Sequence, residues 1–154
     1  MGIIDQLDTA GALPALDKAI RRAGARHTVI AHNIANLETP GFQPVDVDPA
    51  AFQAELADAI DRRRAGKTTD SSRGGGHGSL DMESTREIEI GRDGSLRLNP
   101  RTSSGNILFH DRNNRDLERT MQSLVENASA FRVATDLLRN RTTALRDAMA
   151  ERVG

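Results

Sequence analysis

The chain is 154 residues long, with 21 basic and 22 acidic residues and a net charge of −1, so no whole-chain field draws it to nucleic acid or to an anionic membrane. It has no cysteine, which removes disulfide and thiol chemistry and suits a reducing or an oxidising compartment alike. Four Phe, no Trp and no Tyr leave few large anchors for a self-contained core, and burying one Leu or Ile contributes roughly 1.5–3 kcal/mol against about 1–2 kcal/mol to fix each residue's backbone.

Met1 to Thr9 holds Asp5 and Asp8 and has neither a basic n-region nor a long apolar h-region, so it does not read as a cleavable signal peptide. No run is long and apolar enough to span a membrane, and direct membrane insertion is not expected. Taken alone, this is a cytoplasmic signature. Ile3, Ile4 and Leu7 make a short apolar face before Gly11, and Pro14 fits the first turn of the helix that follows.

Leu13, Leu16, Ile20, Ala23, Ile30, Ile34 and Leu37 recur three and four apart, with His27 the one interruption. That is a heptad seam. It predicts a helix from about Leu13 to Asn36, roughly 36 Å long at about 1.5 Å per residue. Pro40 cannot continue a helix and pushes Thr39 out of the α region, while Gly41 supplies the positive φ of a type II turn.

Gln43 to Pro49 is extended by its two prolines, and Ala50 to Arg64 carries Phe52, Leu56 and Ile60 four apart, the stripe of a second, shorter helix. Asp48 is placed to cap it. Arg62, Arg63 and Arg64 read as a solvated helix end favoured by the dipole rather than as an anion site. Gly66 to Ser79 is polar and glycine-rich, with nothing to bury. It reads as a flexible loop, because a phosphate cradle would need a preceding strand and a following helix.

Glu87-Ile88-Glu89-Ile90 and Ser95-Leu96-Arg97-Leu98 alternate around Gly91 to Gly94, which predicts a β-hairpin over about 86–98. Two strands are marginal alone, so Ile88, Ile90, Leu96 and Leu98 must lie against a helix or another subunit. Asn99 to Asn106 is turn-rich, and Ile107, Leu108 and Phe109 form a cluster that would tether the insertion.

From Asn114 to Arg152 there is no Pro or Gly, and Leu117, Met121, Leu124, Ala128, Phe131, Leu138, Leu145 and Met149 hold heptad spacing, with Thr135 and Thr142 filling the remaining positions. A helix of about 58 Å with such a seam wants a helical partner, and Leu13 to Leu37 is at hand. Asn113 or Asn114 caps it, with Asp116 and Glu118 complementing the dipole. The expected fold is mainly α: long N- and C-terminal helices packed as a coiled-coil-like pair, with a short helix, the flexible loop 66–79 and the hairpin between them. The segments are 1–42, 43–112 and 113–154.

No catalytic, metal-binding or cofactor-binding constellation emerges. His27 and His32 are five apart on different faces, the carboxylates are scattered and mostly explained as caps and surface pairs, and nothing resembles an activated Ser or Thr nucleophile. The amides Asn33 and Asn36, three apart, have two readings: helix capping with solvation, or ordered contacts to a neighbouring subunit's backbone. Phe42 is either a staple under the turn or an anchor in an adjoining protomer.

Asn33-Ile34-Ala35-Asn36 followed by Thr39-Pro40-Gly41-Phe42 resembles the N-terminal signature of the flagellar axial proteins, the rod, hook and filament-junction subunits. Arg26, Ile30 and Ala31 fit that family's Arg-x-x-x-Ile-Ala pattern. Asp46-Val47-Asp48 and Phe52 near the turn, then Asn113-Asn114, Asp116-Leu117-Glu118-Arg119, Asn127, Phe131, Leu137-Leu138 and Arg141 to Arg146, look most like the proximal subunits of the basal-body rod. The chain departs from that pattern at Arg112 and Arg115, at Phe131 where tyrosine is usual, and in the glycine-rich insertion.

The resemblance implies a structural, self-assembling subunit that leaves the cell through a dedicated export channel without a cleaved signal peptide and resides in the periplasmic rod of the flagellar basal body. Implied partners are copies of itself, other rod subunits, a rod-to-membrane-ring adaptor and the export gate. The residues it marks for assembly are Ile30, Asn33, Ile34, Asn36, Thr39, Pro40, Gly41 and Phe42 at one end, and Leu117, Met121, Leu124, Asn127, Phe131, Leu138 and Leu145 at the other. The rival readings are another short rod subunit, a helical adaptor or export chaperone, and a small enzyme built on the insertion. A chaperone would be a folded dimer at low concentration, an enzyme would keep its function without its terminal helices, and a rod subunit would lose function when either end is trimmed.

Overall fold

The computed structural model describes residues 12–64, 80–91, 95–102 and 117–151. The elements run α1 (Ala12–Ala35), β1 (Val45–Asp46), α2 (Pro49–Arg64), β2 (Ile88–Ile90), β3 (Leu96–Leu98), β4 (Arg101–Thr102) and α3 (Leu117–Ala150). The protein is mainly helical, and α1 and α3 pack along one another. The Ile3 to Leu7 face, the loop 66–79, the Ile107 to Phe109 cluster and the caps at Asn113, Asn114 and Asp116 lie outside the described residues. No described helix is long and apolar enough to cross a membrane.

The end of α1 follows from Pro40 and Gly41. The Thr39 N–H donates to the Asn36 carbonyl at 2.9 Å, and the Phe42 N–H to the Thr39 carbonyl at 3.1 Å. Gly41 has φ 74°, as position i+2 of a type II turn requires. After the turn, Asp48 caps α2 by accepting from the Ala50 N–H at 2.8 Å, with Pro49 in the first helical position.

The hairpin pairs Ile88 with Leu98, Glu89 with Arg97 and Ile90 with Leu96, antiparallel. Alternation places Ile88 inward and the Glu89–Arg97 pair outward. A second, shorter antiparallel pair joins β1 to β4, matching Val45 with Thr102 and Asp46 with Arg101.

The core sits in the insertion. Val47, Phe52, Ala59, Leu80, Met82 and Ile88 are buried together, with Ala15, Leu56, Ile60, Ile90, Leu96 and Leu98 packed around them. The hairpin therefore lies against α1 and α2 of its own chain. Leu80 and Met82 fill the role of the missing aromatics. Their strand-like segment is fastened by hydrogen bonds from the Glu83 N–H to Glu55 Oε1 at 2.7 Å and from the Ile90 N–H to Ser84 Oγ at 3.0 Å.

The arginine run that ends α2 needs a correction. Arg62 is ion-paired as well as partly exposed: its Nη2 donates to Glu55 Oε1 at 2.8 Å and its Nη1 to Glu83 Oε1 at 2.9 Å. Glu55 lies two helical turns earlier on the same face, so one guanidinium ties α2 to the segment carrying Leu80 and Met82.

Candidate assembly surface

α1 carries two working faces. One is the expected apolar seam, on which Ala23 and Ile30 are buried and Leu13, Leu16, Ile20 and Ile34 half-buried. The other is polar, and the seam gives no hint of it: Lys18, Arg22, Arg26 and Asn33 share one stripe and are buried. Asn33 Nδ2 donates to the Val45 carbonyl at 2.6 Å, and the Val45 N–H returns to Asn33 Oδ1 at 3.1 Å. The amide thus meets both backbone groups of β1, as a neighbouring strand would.

Two turns back, Arg26 holds Asp46 with both prongs of its fork, Nε to Oδ1 at 2.8 Å and Nη2 to Oδ2. The Asp46 hydrogen bond is the main cause that raises the Arg26 pKa above its ordinary value. Arg22 has no such partner. Its guanidinium lies over the Phe52 ring at 5.0 Å, and its Nε and Nη2 are buried without an acceptor. Burial, and then the charge of Arg26, lower its pKa from the usual arginine value.

Asn33 therefore makes an ordered backbone contact within its own chain, which neither the capping nor the neighbouring-subunit reading places there. Asn36 donates to the His32 carbonyl at 2.9 Å and so caps the helix end. Phe42 packs edge-on against His32, with centroids 5.7 Å apart, as a local staple under the turn. Ile30 is buried and Ile34 half-buried; Thr39, Pro40 and Gly41 are exposed in the turn.

The seam of α3 meets α1 along a rotated face. Asn127, 3% exposed, donates its Nδ2 to the Ala23 carbonyl at 2.8 Å, and Ala134 is buried beside it. Leu124, Leu138, Thr142 and Leu145 are half-buried around them. Leu117, Met121 and Phe131 remain 45%, 42% and 41% exposed. The physical reason is that a buried amide reaching an α1 carbonyl, with a small alanine one heptad on, sets the line of closest approach and turns the bulkier seam residues aside. The result is a ridge of large apolar side chains along one edge of α3. No cluster of three or more metal-ligating side chains occurs among the described residues.

A flagellar basal body rod protein, FlgB of Borrelia hermsii, is 30% identical to this chain over 119 residues, covering 73% of the chain and 76% of that relative. The chain belongs to the FlgB family. FlgB proteins of Proteus mirabilis and Yersinia enterocolitica are 40% and 36% identical over 74 and 66 residues. Those matches cover 45% and 44% of each relative, so the chain spans about half the length of these relatives. No protein-family profile matches the chain.

For a FlgB-family chain whose helices leave a ridge uncovered, two features were not read from sequence. Val125, Val133 and Leu137 are also exposed on α3, off the heptad positions. The clamp formed by Arg26, Asn33, Val45 and Asp46 was the other. Its signal was present in the spacing of Arg22, Arg26 and Asn33 at four and seven, a polar stripe with heptad periodicity beside the apolar one.

Proposed function

We propose that this chain is a structural subunit of the bacterial flagellar basal-body rod, of the proximal type, and that it works by self-assembly rather than catalysis. The observation that carries the reading is the ridge of Leu117, Met121 and Phe131, large apolar side chains in heptad register left open on a long helix. FlgB relatives named as rod proteins support it. On this reading copies of the chain and other rod subunits cover the ridge, and the rod joins a membrane-ring adaptor and the export gate to the distal rod. The chain reaches the periplasmic side by the flagellar export route without a cleaved signal peptide. Residues 1–42 and 113–154 supply the axial helices, and 43–112 the insertion that braces them.

Imaging of purified basal bodies with this chain tagged tests the reading, together with motility after trimming either terminal helix. Rod density carrying the tag, and loss of motility on trimming, are the expected results. A stable dimer at low concentration that stays in the cytoplasm and is absent from basal bodies would favour the chaperone reading and sink this one.

A further inference from the structure

Arg22 and Arg26 lie four residues apart on the buried stripe of α1, yet their guanidinium groups are in unlike states. Arg26 uses Nε and Nη2 to hold Asp46. The same two atoms of Arg22, Nε and Nη2, are buried with no acceptor among the described residues. α1 therefore presents two matching forks one turn apart, at about 6 Å, and only one of them is paired. Arg22 is 8% exposed, so bulk water does not reach its fork, and a buried charged donor left unpaired is destabilising.

The segment that leaves β1 brings a second carboxylate to this stripe. Asn33 meets Val45, Arg26 meets Asp46 and Arg22 meets Phe52, so the segment runs toward the N-terminal end of α1. Asp48 falls between Asp46 and Phe52. In extended chain, residues two apart share a face at roughly 6–7 Å, which matches the spacing of the two forks, and Val47 between them belongs to the core. Asp46 is committed: it accepts from both prongs of Arg26 and from the Val47 N–H. Asp48 is exposed, accepts from the Ala50 N–H at 2.8 Å, and its charge already acts on Arg22.

Resting on the rod-subunit reading above, we propose that Arg22 is a second carboxylate seat, filled by Asp48 when assembly removes water from the corner between β1 and α2. The move exchanges one neutral donor, the Ala50 N–H, for two charged ones. In the free subunit water solvates the exposed carboxylate and offsets that gain. A neighbouring subunit laid over this corner excludes the water and leaves the fork as the stronger partner. The insertion is then fastened to α1 by two ion pairs in place of one, so it stiffens only in the rod.

Asn caps a helix as well as Asp does, so Asp48→Asn keeps the α2 cap and removes the charge. Arg22→Met removes the fork. In the dilute subunit Asp48→Asn leaves the urea midpoint near that of the parent, and Arg22→Met does not lower it. In purified basal bodies either variant sheds this chain in urea about ten-fold faster, the loss of one charge-assisted pair. The double variant sheds it no faster than either single one, as two partners of one contact must. Parent-like shedding from either single variant, or a double variant whose effect is the product of the two, overturns the pairing and leaves the rod reading standing. A loss from Asp48→Asn in the dilute subunit that vanishes beside Arg22→Met shows the pair already closed there and overturns its dependence on assembly. Exported, folded single variants that both build no rods count with fast shedding, whereas failure of one alone overturns the pairing. Absence of the parent chain from basal bodies overturns this proposal and the rod reading together.

Discussion

Asn33 and Asn36 are the same side chain one turn apart on α1, yet the fold uses them in opposite ways. Asn33 is buried and meets both backbone groups of Val45, whereas Asn36 sits at the end of α1 and caps its own helix. Removing Asn33 leaves a part-buried donor and acceptor of Val45 without this partner, a cost toward the lower end of about 1–3 kcal/mol. Asn33→Ala should therefore lower the urea midpoint of the dilute subunit clearly, while Asn36→Ala shifts it much less. Equal shifts would mean that the clamp on β1 does not hold the insertion to α1. Arg22 should behave in the reverse sense. Its charge is held in the folded state against burial and against Arg26, so it detracts from stability at neutral pH. Arg22→Met keeps a flexible apolar stem over Phe52 and removes the orphaned donors. The expectation is a gain of about 1 kcal/mol in urea unfolding, the unsatisfied-group cost less a cation–π contact of about 0.5–1 kcal/mol. A loss on that substitution would show that Arg22 has an acceptor in solution.

At the scale of elements, whatever rests on local periodicity or turn chemistry was legible in the sequence. The three helices, the Pro-Gly turn with its positive φ, the Asp48 cap and the hairpin all follow from residues close together in the chain. The β1–β4 pair was not legible, because two-residue strands have no periodicity and Val45 is held in place by Asn33 and Asp46 by Arg26. Leu80 and Met82 were missed for a similar reason: two apolar residues after a glycine-rich stretch carry no pattern until Ile88 and Phe52 surround them. The same burial makes the hairpin a structural test. Ile88 is 1% exposed, and Ile88→Ala should cost about 2–5 kcal/mol in urea unfolding. Glu89→Ala, on the outward face, should change the midpoint little. If both are neutral, the hairpin is not part of the cooperative unit.

For the whole molecule, the sequence names seam residues on α3 without saying which way each one faces. The heptad on α3 picks out residues that must be buried somewhere, but it cannot say whether α1 or another copy buries each one. Asn127 and Ala134 divide them: Leu124 is half-buried within the subunit, and Phe131 keeps 41% of its surface exposed. The two seam residues should therefore fail differently. Leu124→Ala removes packing that the free subunit already has, so it should lower the urea midpoint, though by less than the about 2–5 kcal/mol of a fully buried site. Phe131→Ala should lower the free subunit's midpoint less than Leu124→Ala does, because 41% of Phe131 is exposed. Both variants should be expressed and exported, and both should block rod completion, because a weakened contact recurs at every copy in a repeating assembly. Arg139→Ala, exposed and off the seam, should build normal rods. Counting basal bodies in each strain, alongside urea unfolding of the purified subunits, separates the two effects. Should Phe131→Ala unfold the free subunit as readily as Leu124→Ala, the ridge is part of the subunit's own core. Should Phe131→Ala and Leu124→Ala both build normal rods while Arg139→Ala does not, the assembly contact lies on another face of α3.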